Sequence, residues 1–287
     1  MIGCGRTSGA QPVVREVRCK TILGESGICD YCVNCYTGCT HACAYCYARF
    51  MCRFQHHDQP WGSFVDAKVN APEVLARQLA QGRLLSAGSV FISSVCDPYQ
   101  PAEASFGLTR RCLTLLLERG FQVHLQTKGD LVRRDFDLLA GRTNAVLCMT
   151  ITTTDDDLAR QIEPRASSAT ARIEALRQAG REGIRTRAFV GPLLPTLTDT
   201  PESTGAVFSA LVELGLEAVY VDRLNLRWGV WPAMKQTLER IAPDAIPATR
   251  AVLFDASQGR AYEQALRRRV RDAARDAGLT APLTMAL

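Results

Sequence analysis

Residues 38–49 read GCTHACAYCYAR, and the cysteines of this stretch, Cys39, Cys43 and Cys46, fall at C-x3-C-x2-C. Three thiolates from one short loop can hold three irons of a [4Fe–4S] cluster and leave the fourth iron open to bind and reduce a small molecule. Tyr45 sits just before the last cysteine, placed to shield the cluster edge. The competing reading is zinc. Zinc takes four ligands, mostly as two pairs separated by a longer gap, which a tight triplet does not supply.

Outward from the triplet, the chain has 12 cysteines in 287 residues. Cys4, Cys19, Cys29, Cys32 and Cys35 precede the triplet, whereas Cys52, Cys96, Cys112 and Cys148 are scattered. The opening MIGCGRTSGAQPVVREVRCK lacks the apolar stretch of a secretory signal, so metal or redox chemistry is expected of these thiols before disulfides. No apolar run is long enough to span a bilayer, and a soluble cytoplasmic protein with no membrane partner is expected. The net charge of +5 is only mildly basic and does not by itself argue for nucleic acid. The basic run Arg267, Arg268, Arg269, Arg271 and Arg275 has few aromatics interleaved and reads as a solvated helix face. His56–His57 reads as a polar surface pair.

Beyond residue 70, short β-rich runs alternate with helical stretches. Strands are predicted at 30–35, 90–95, 122–127, 145–152, 184–190 and 218–221. Helices are predicted at 109–119, 135–139, 168–180 and 201–214, with Leu113, Leu116 and Leu117 on the inner face of the first, and Ile173, Leu176 and Ala179 on that of the third. Such alternation predicts parallel βαβ units. Six strands fit an α/β fold of the partial (βα)6 barrel type; periodicity alone leaves an open doubly wound sheet as the alternative. Helices at 232–241 and 259–278 follow. The expected division is a Cys-rich extension over 1–28, a barrel over 29–228 and a C-terminal helical region over 229–287.

The segments SGICDYCVNCYTGCTHACAYCYARFM, WGSFVDAKVNAPEVL, VFISSVCDPYQPAE, LTRRCLTLLLERGFQVHLQTKGDLVRRDFDLL and MTITTTDDDLARQIEPRASSATARIEALRQAG resemble the spore-photoproduct-lyase-like branch of the radical S-adenosylmethionine (SAM) proteins. The resemblance runs over roughly residues 19–225. It implies a radical SAM partial barrel with the cluster and SAM at the C-terminal mouth of the strands, where parallel sheets bind ligands. It also implies that SAM chelates the open iron and that an electron from the cluster breaks a carbon–sulfur bond, yielding a 5′-deoxyadenosyl radical that takes hydrogen from a substrate. Lys128 is similar to a family position that contacts SAM. Thr150 stands where the family often has serine at the SAM site. Asp97 and Glu103 lie, with Tyr99 and Gln100, on the loop where the superfamily binds the SAM amino group. Glu163 and Arg172 match positions near the cofactor. Cys96 lies near the place where the lyase keeps a hydrogen-donating cysteine, and is a candidate for that role.

The chain departs from that pattern before the triplet, where Asn34-Cys35-Tyr36 replaces a typical Asn-Pro-Tyr. Cys29, Cys32, Cys35 and Cys39 follow a ferredoxin spacing, but in a flat strand Cys29 and Cys35 share one face and Cys32 the other. Cys4 and Cys19, with Cys29 and either Cys32 or Cys35, are either ligands of a second, auxiliary Fe–S cluster or free thiols. Three functions stay open. The first is a radical SAM enzyme of biosynthesis acting on a nucleoside, sugar or other small molecule, with an auxiliary cluster available for C–S bond formation. The second is lyase-like repair or modification of DNA. The third is a non-enzymatic Cys-rich metal- or nucleic-acid-binding protein. The enzyme readings require a reductase, flavodoxin or ferredoxin as electron donor.

Overall fold

The computed structural model describes residues 11–53, 59–81 and 88–286; Cys4 and His56–His57 lie outside the described residues. Two short strands, β1 (Val13–Val17) and β2 (Leu23–Glu25), precede the first barrel strand, β3 (Tyr31–Val33). β4 (Tyr36–Thr37) and β5 (Phe64–Lys68) bracket the cysteine loop. The other barrel strands are β6 (Ser89–Ile92), β7 (Gln122–Thr127), β8 (Ala145–Ile151), β9 (Thr186–Leu193) and β10 (Ala218–Arg223), and β11 (Leu283–Ala286) follows near the end. β3, β6, β7, β8, β9 and β10 are parallel neighbours in that order, with β2 antiparallel at one edge and β11 parallel at the other. A doubly wound sheet reverses its strand order at a switch point. This order never reverses, so the partial (βα)6 barrel is the fold. β1, β5 and β4 form a second small sheet.

The helices are α1 (Ala71–Ala80), α2 (Ala102–Phe106), α3 (Leu108–Glu118), α4 (Phe136–Leu139), α5 (Asp156–Ile162), α6 (Ala169–Arg181), α7 (Pro201–Leu211), α8 (Val230–Ile241), α9 (Ala245–Phe254) and α10 (Ala256–Asp276). Their starts follow local chemistry. The side chains of Asp155, Ser168 and Thr200 accept first-turn amides of α5, α6 and α7, and Pro201 occupies the first turn of α7, where its missing N–H costs nothing. Leu113, Leu116 and Leu117 of α3 and Ile173, Leu176 and Ala179 of α6 are buried against the sheet, as their spacing predicts. Among the described residues no helix is long and apolar enough to cross a membrane.

Two features differ from the sequence expectation. The strand predicted at 30–35 stops at Val33, and the chain switches sheets before β4. Side-chain alternation therefore does not carry from Cys29 to Cys35. Cys35 instead lies fully buried in the main core, with its thiol against Cys112 of α3. The C-terminal helices also reach further than a separate helical region would. Val230, Met234 and Leu238 of α8 and Ala245 of α9 form one apolar cluster with Cys43, Ala44 and Tyr45. The end of the chain thereby packs on the cysteine loop.

Candidate cluster and cofactor site

The cysteine loop begins at Gly38, whose φ is +81°; a Cβ there would lie 2.5 Å from the backbone oxygen of Phe64. Glycine meets both constraints at once. Ala42 (φ 57°) turns the chain again between the first two cysteines, and its Cβ fits only because Gly62 opposite has none. Cys39 and Cys43 are buried and Cys46 is half-buried.

Loops following successive strands hold this turn. After β6, the buried Gln100 side chain accepts the Thr40 amide (3.0 Å) and donates to the Gly38 carbonyl (3.2 Å). Asp97 accepts the hydroxyl of Thr127 (2.6 Å) and the amide of Lys128 (2.8 Å), tying the β6 and β7 loops together. His41 Nδ1 of the cysteine loop lies 3.4 Å from Asp97 Oδ2, near enough for charge but without a completed hydrogen bond. Burial would raise the Asp97 carboxyl; the His41 contact and the Thr127 and Lys128 donors outweigh it and hold it well below the usual carboxylate range. From β8 and α5, Ile162 O accepts the Ala44 amide (2.8 Å), and Arg165 donates to Gly62 O (2.6 Å).

Tyr45 is fixed at its ring tip. Its hydroxyl donates to Glu163 and lies 3.1 Å from Thr152 Oγ1. The other Glu163 oxygen is paired with Arg172 of α6, and Arg172 also donates to Thr150 O (3.1 Å) and Ser167 O (2.8 Å). The Lys128 ammonium stands 5.6 Å from the Tyr45 ring centroid. Thr150 Oγ1 accepts from Gln126 (3.3 Å) on the neighbouring strand.

The structure therefore brings Cys39, Cys43, Cys46, Tyr45, Asp97, Lys128, Thr150 and Glu163 to one end of the barrel. Glu163 does so as the clamp on Tyr45, with both oxygens engaged. Cys96 packs beside the same loop, against the cluster of Cys39, Trp61 and Phe64, and burial pushes its thiol up to about 12. Glu103 is a correction: it does not face the loop. It is fully buried, accepts from Tyr36, from Arg134 and from the Thr109 and Arg110 amides, and so caps α3. For the N-terminal cysteines the described residues, which exclude Cys4, show no converging group of three metal-binding side chains. The Cys29 thiol meets Ser89, Cys35 meets Cys112, and the Cys19 backbone is tied to Asn70. Sequence reasoning missed His41, Thr152, Arg165 and Trp61. Of these only Arg165, two residues after Glu163, carried a signal in its position.

The triplet fits an iron–sulfur cluster by the chemistry of its donors. Burial raises all three thiols, Cys43 to about 12, so they need a metal's positive charge to ionise. Lys128 counters the charge on Cys43 and Cys46, and Arg49 that on Cys46. Cys39, Cys43 and Cys46 would hold the cluster.

A family model for the radical SAM superfamily matches residues 33–204. An uncharacterized protein of Methanocaldococcus jannaschii is 38% identical over 169 residues, 59% of this chain; the match spans 62% of that relative's length. A radical SAM Nalpha-GlyT isomerase of Pseudomonas phage M6 is 25% identical over 211 residues, 73% of this chain and 42% of that protein. Among solved structures, a spore photoproduct lyase with bound AdoMet and dinucleoside spore photoproduct superposes with a TM-score of 0.65 at 15% identity, over 95% of this chain and 81% of the lyase. Streptococcus suis SuiB bound to S-adenosylmethionine gives 0.57 at 12% identity, over 96% of this chain and 51% of SuiB; at these identities the likeness is one of fold. The cysteine loop, the barrel that holds it and the family match agree, and the chain belongs to the radical SAM superfamily of enzymes.

Proposed function

We propose that the protein is a radical SAM enzyme whose substrate is a nucleoside-class molecule, bound in the barrel lumen and held by hydrogen bonds and ring stacking. The lining of the lumen carries this reading. On the strand faces turned away from the helices, Phe91 and His124 are register partners, as are Gln126 and Cys148, then Cys148 and Arg187. Phe91, His124, Gln126, Lys128, Arg187 and Phe189 remain half-buried while their alternate neighbours are buried. The lumen therefore offers flat rings, amide and imidazole donors and two cations. That set suits a polar planar heterocycle attached to a sugar. The cluster, when bound, supplies the electron that cleaves SAM to methionine and the 5′-deoxyadenosyl radical. Lys128 offers a cation for the SAM carboxylate, Asp97 is an anion for its amino group, and the braced Tyr45 shields the loop. Cys96 is the proposed hydrogen donor to the product radical. The phage isomerase and the lyase–dinucleoside complex among the similar proteins support a nucleoside-type substrate. A second cluster is not part of the proposal, which rests on the Cys39, Cys43 and Cys46 loop alone.

One observation favours a nucleoside held in a polymer. Trp228 and Phe254 are exposed on the loop after β10 and at the end of α9, with the guanidiniums of Arg53 and Arg250 stacked on them at 5.8 and 5.9 Å. Aromatic–arginine platforms of this kind grip single-stranded nucleic acid.

The deciding experiment is anaerobic reconstitution followed by dithionite and SAM, with free nucleosides and with short oligonucleotides in separate reactions. We expect about four irons per chain, 5′-deoxyadenosine, and a yield that rises with the accepted substrate. No 5′-deoxyadenosine from fully loaded protein would overturn the enzyme assignment, and a response to neither substrate form would overturn the substrate class. Cys96→Ala in the same assay is expected to lower product per 5′-deoxyadenosine formed; an unchanged ratio removes Cys96 from the reaction.

A further inference from the structure

The segment WGSF (61–64) leads into β5, and its packing on the cysteine loop exceeds what a strand entry needs. Trp61 is 5% exposed and stands edge-on to Phe64, with ring centroids 6.3 Å apart. The two rings form one apolar cluster with Cys39 and Ala48, and Cys46 packs against it. The turn is held on both sides. Gly62 abuts Ala42, its carbonyl accepts Arg165 (2.6 Å), and Ser63 bonds back to Pro60 O (2.7 Å). In the middle of this fixed arrangement the Trp61 indole N–H is fully buried and has no aligned acceptor among the described residues. A buried donor left unpaired is costly, and such groups are rare without a reason.

The neighbouring sulfur supplies the reason. Cys46 packs against the Trp61 cluster, which brings its sulfur within reach of the indole N–H and of the Ala48 amide. A neutral thiol is a weak acceptor, whereas a metal-bound thiolate accepts strongly. The donor is thus idle beside a thiol and engaged beside a cluster ligand.

We infer that Trp61 is a positioning residue for the cluster: its indole N–H donates to the Cys46 sulfur once that sulfur binds iron, and so raises the cluster's reduction potential. The inference rests on the cluster reading above. Hydrogen bonds to ligand sulfurs stabilise the reduced, more negative cluster and are one of the levers that set its potential. Their removal moves the couple to more negative values and makes the electron harder to load from a given donor.

The test is a redox titration of reconstituted Trp61→Phe, which keeps an aromatic ring beside Phe64 and removes the donor with the smaller part of the indole. At a fixed ambient potential we expect the ratio of reduced to oxidised cluster to fall about tenfold, which for one electron is about 59 mV. A variant with full iron content and the wild-type potential overturns the inference. Should Trp61→Phe bind less iron, the wild-type protein decides. Protein grown with 15N-indole tryptophan is expected to show a 15N coupling in the pulsed EPR spectrum of the reduced, SAM-free cluster; a cluster signal without that coupling overturns the inference. A protein that forms no cluster signal at all overturns instead the reading on which the inference rests, so the two failures are distinguishable.

Discussion

Cys43→Ala is expected to abolish SAM cleavage while leaving the apo-fold intact. Cys43 is buried among Ala44, Tyr45, Ile162 and the α8 side chains Val230 and Met234. Alanine removes one sulfur from that small cluster, a change at the low end of core truncations. Burial holds the Cys43 thiol up to about 12, so the bare site carries no thiolate whose loss would unbalance Lys128 or Arg172. The cost appears only when iron is present. With two cysteines left, the loop can no longer present three thiolates, and the open iron that receives SAM is lost with the cluster. Partners that merely orient metal ligands are worth 10–100-fold in affinity or activity, so loss of a ligand is expected to lower 5′-deoxyadenosine formation by more than about a hundredfold. Iron analysis, the brown absorbance of the reconstituted protein and product quantitation measure the effect, with thermal unfolding of the apoprotein as the control. Cys52→Ala, outside the triplet, is expected to keep full iron. Equal iron and turnover in Cys43→Ala would remove the triplet from its role.

The parts of this molecule that sequence periodicity could reach are those whose side chains repeat. β7 and α3 fall within a residue of their predicted spans because QVHLQT alternates and Leu113, Leu116 and Leu117 recur at helical spacing. The triplet was legible because a cluster needs three thiols within one loop, and that is a property of spacing alone. What surrounds the triplet was not. Arg165 reaches the Thr40 carbonyl from 125 residues away and Thr127 braces the site through Asp97, and only the strand order decides which loop ends meet. Glu103 shows the reverse failure. Its place on the β6 loop suggested the cofactor, but Gly107 turns the chain so that the carboxylate caps the very next helix. Cys35 misled through the strand break at Asn34, since alternation is informative only while a strand continues. β11 was missed because a four-residue edge strand has too little pattern to stand apart from the helix before it.

Arg172→Leu carries the largest expected loss of stability. Arg172 and Glu163 form an ion pair whose side chains are 1% and 0% exposed, and neither charge has solvent to fall back on. Arg172 also closes two carbonyl bonds, to Thr150 O and Ser167 O, so all the donors it uses are directed into protein. A buried pair is weak evidence of net stabilisation, because desolvating two charges costs nearly what their attraction returns. Breaking it is a different matter: an uncompensated buried Glu163 is expected to cost about 3–5 kcal/mol. At about 2–4 °C per kcal/mol for domains of this class, unfolding should move down by roughly 6–20 °C, read by calorimetry or circular dichroism. Arg172→Lys is expected to recover only part of this, since one ammonium cannot serve the carboxylate and two carbonyls in the guanidinium's planar geometry. Adding Glu163→Gln to Arg172→Leu removes the stranded charge, so the double variant should be more stable than Arg172→Leu alone, a non-additivity expected of contacting residues. Tyr45 separates this from a purely structural role. Its hydroxyl rests on Glu163, and once Arg172 is gone the guanidinium no longer holds that carboxylate in place. The Tyr45 ring beside Cys46 would then lose its fixed acceptor while the fold persists at low temperature. Arg172→Leu should therefore bind iron in the cold yet lose it faster than wild type on warming, before the protein unfolds. Cluster loss that coincides with global unfolding in both proteins would show that the pair supports the barrel and does nothing particular for the loop.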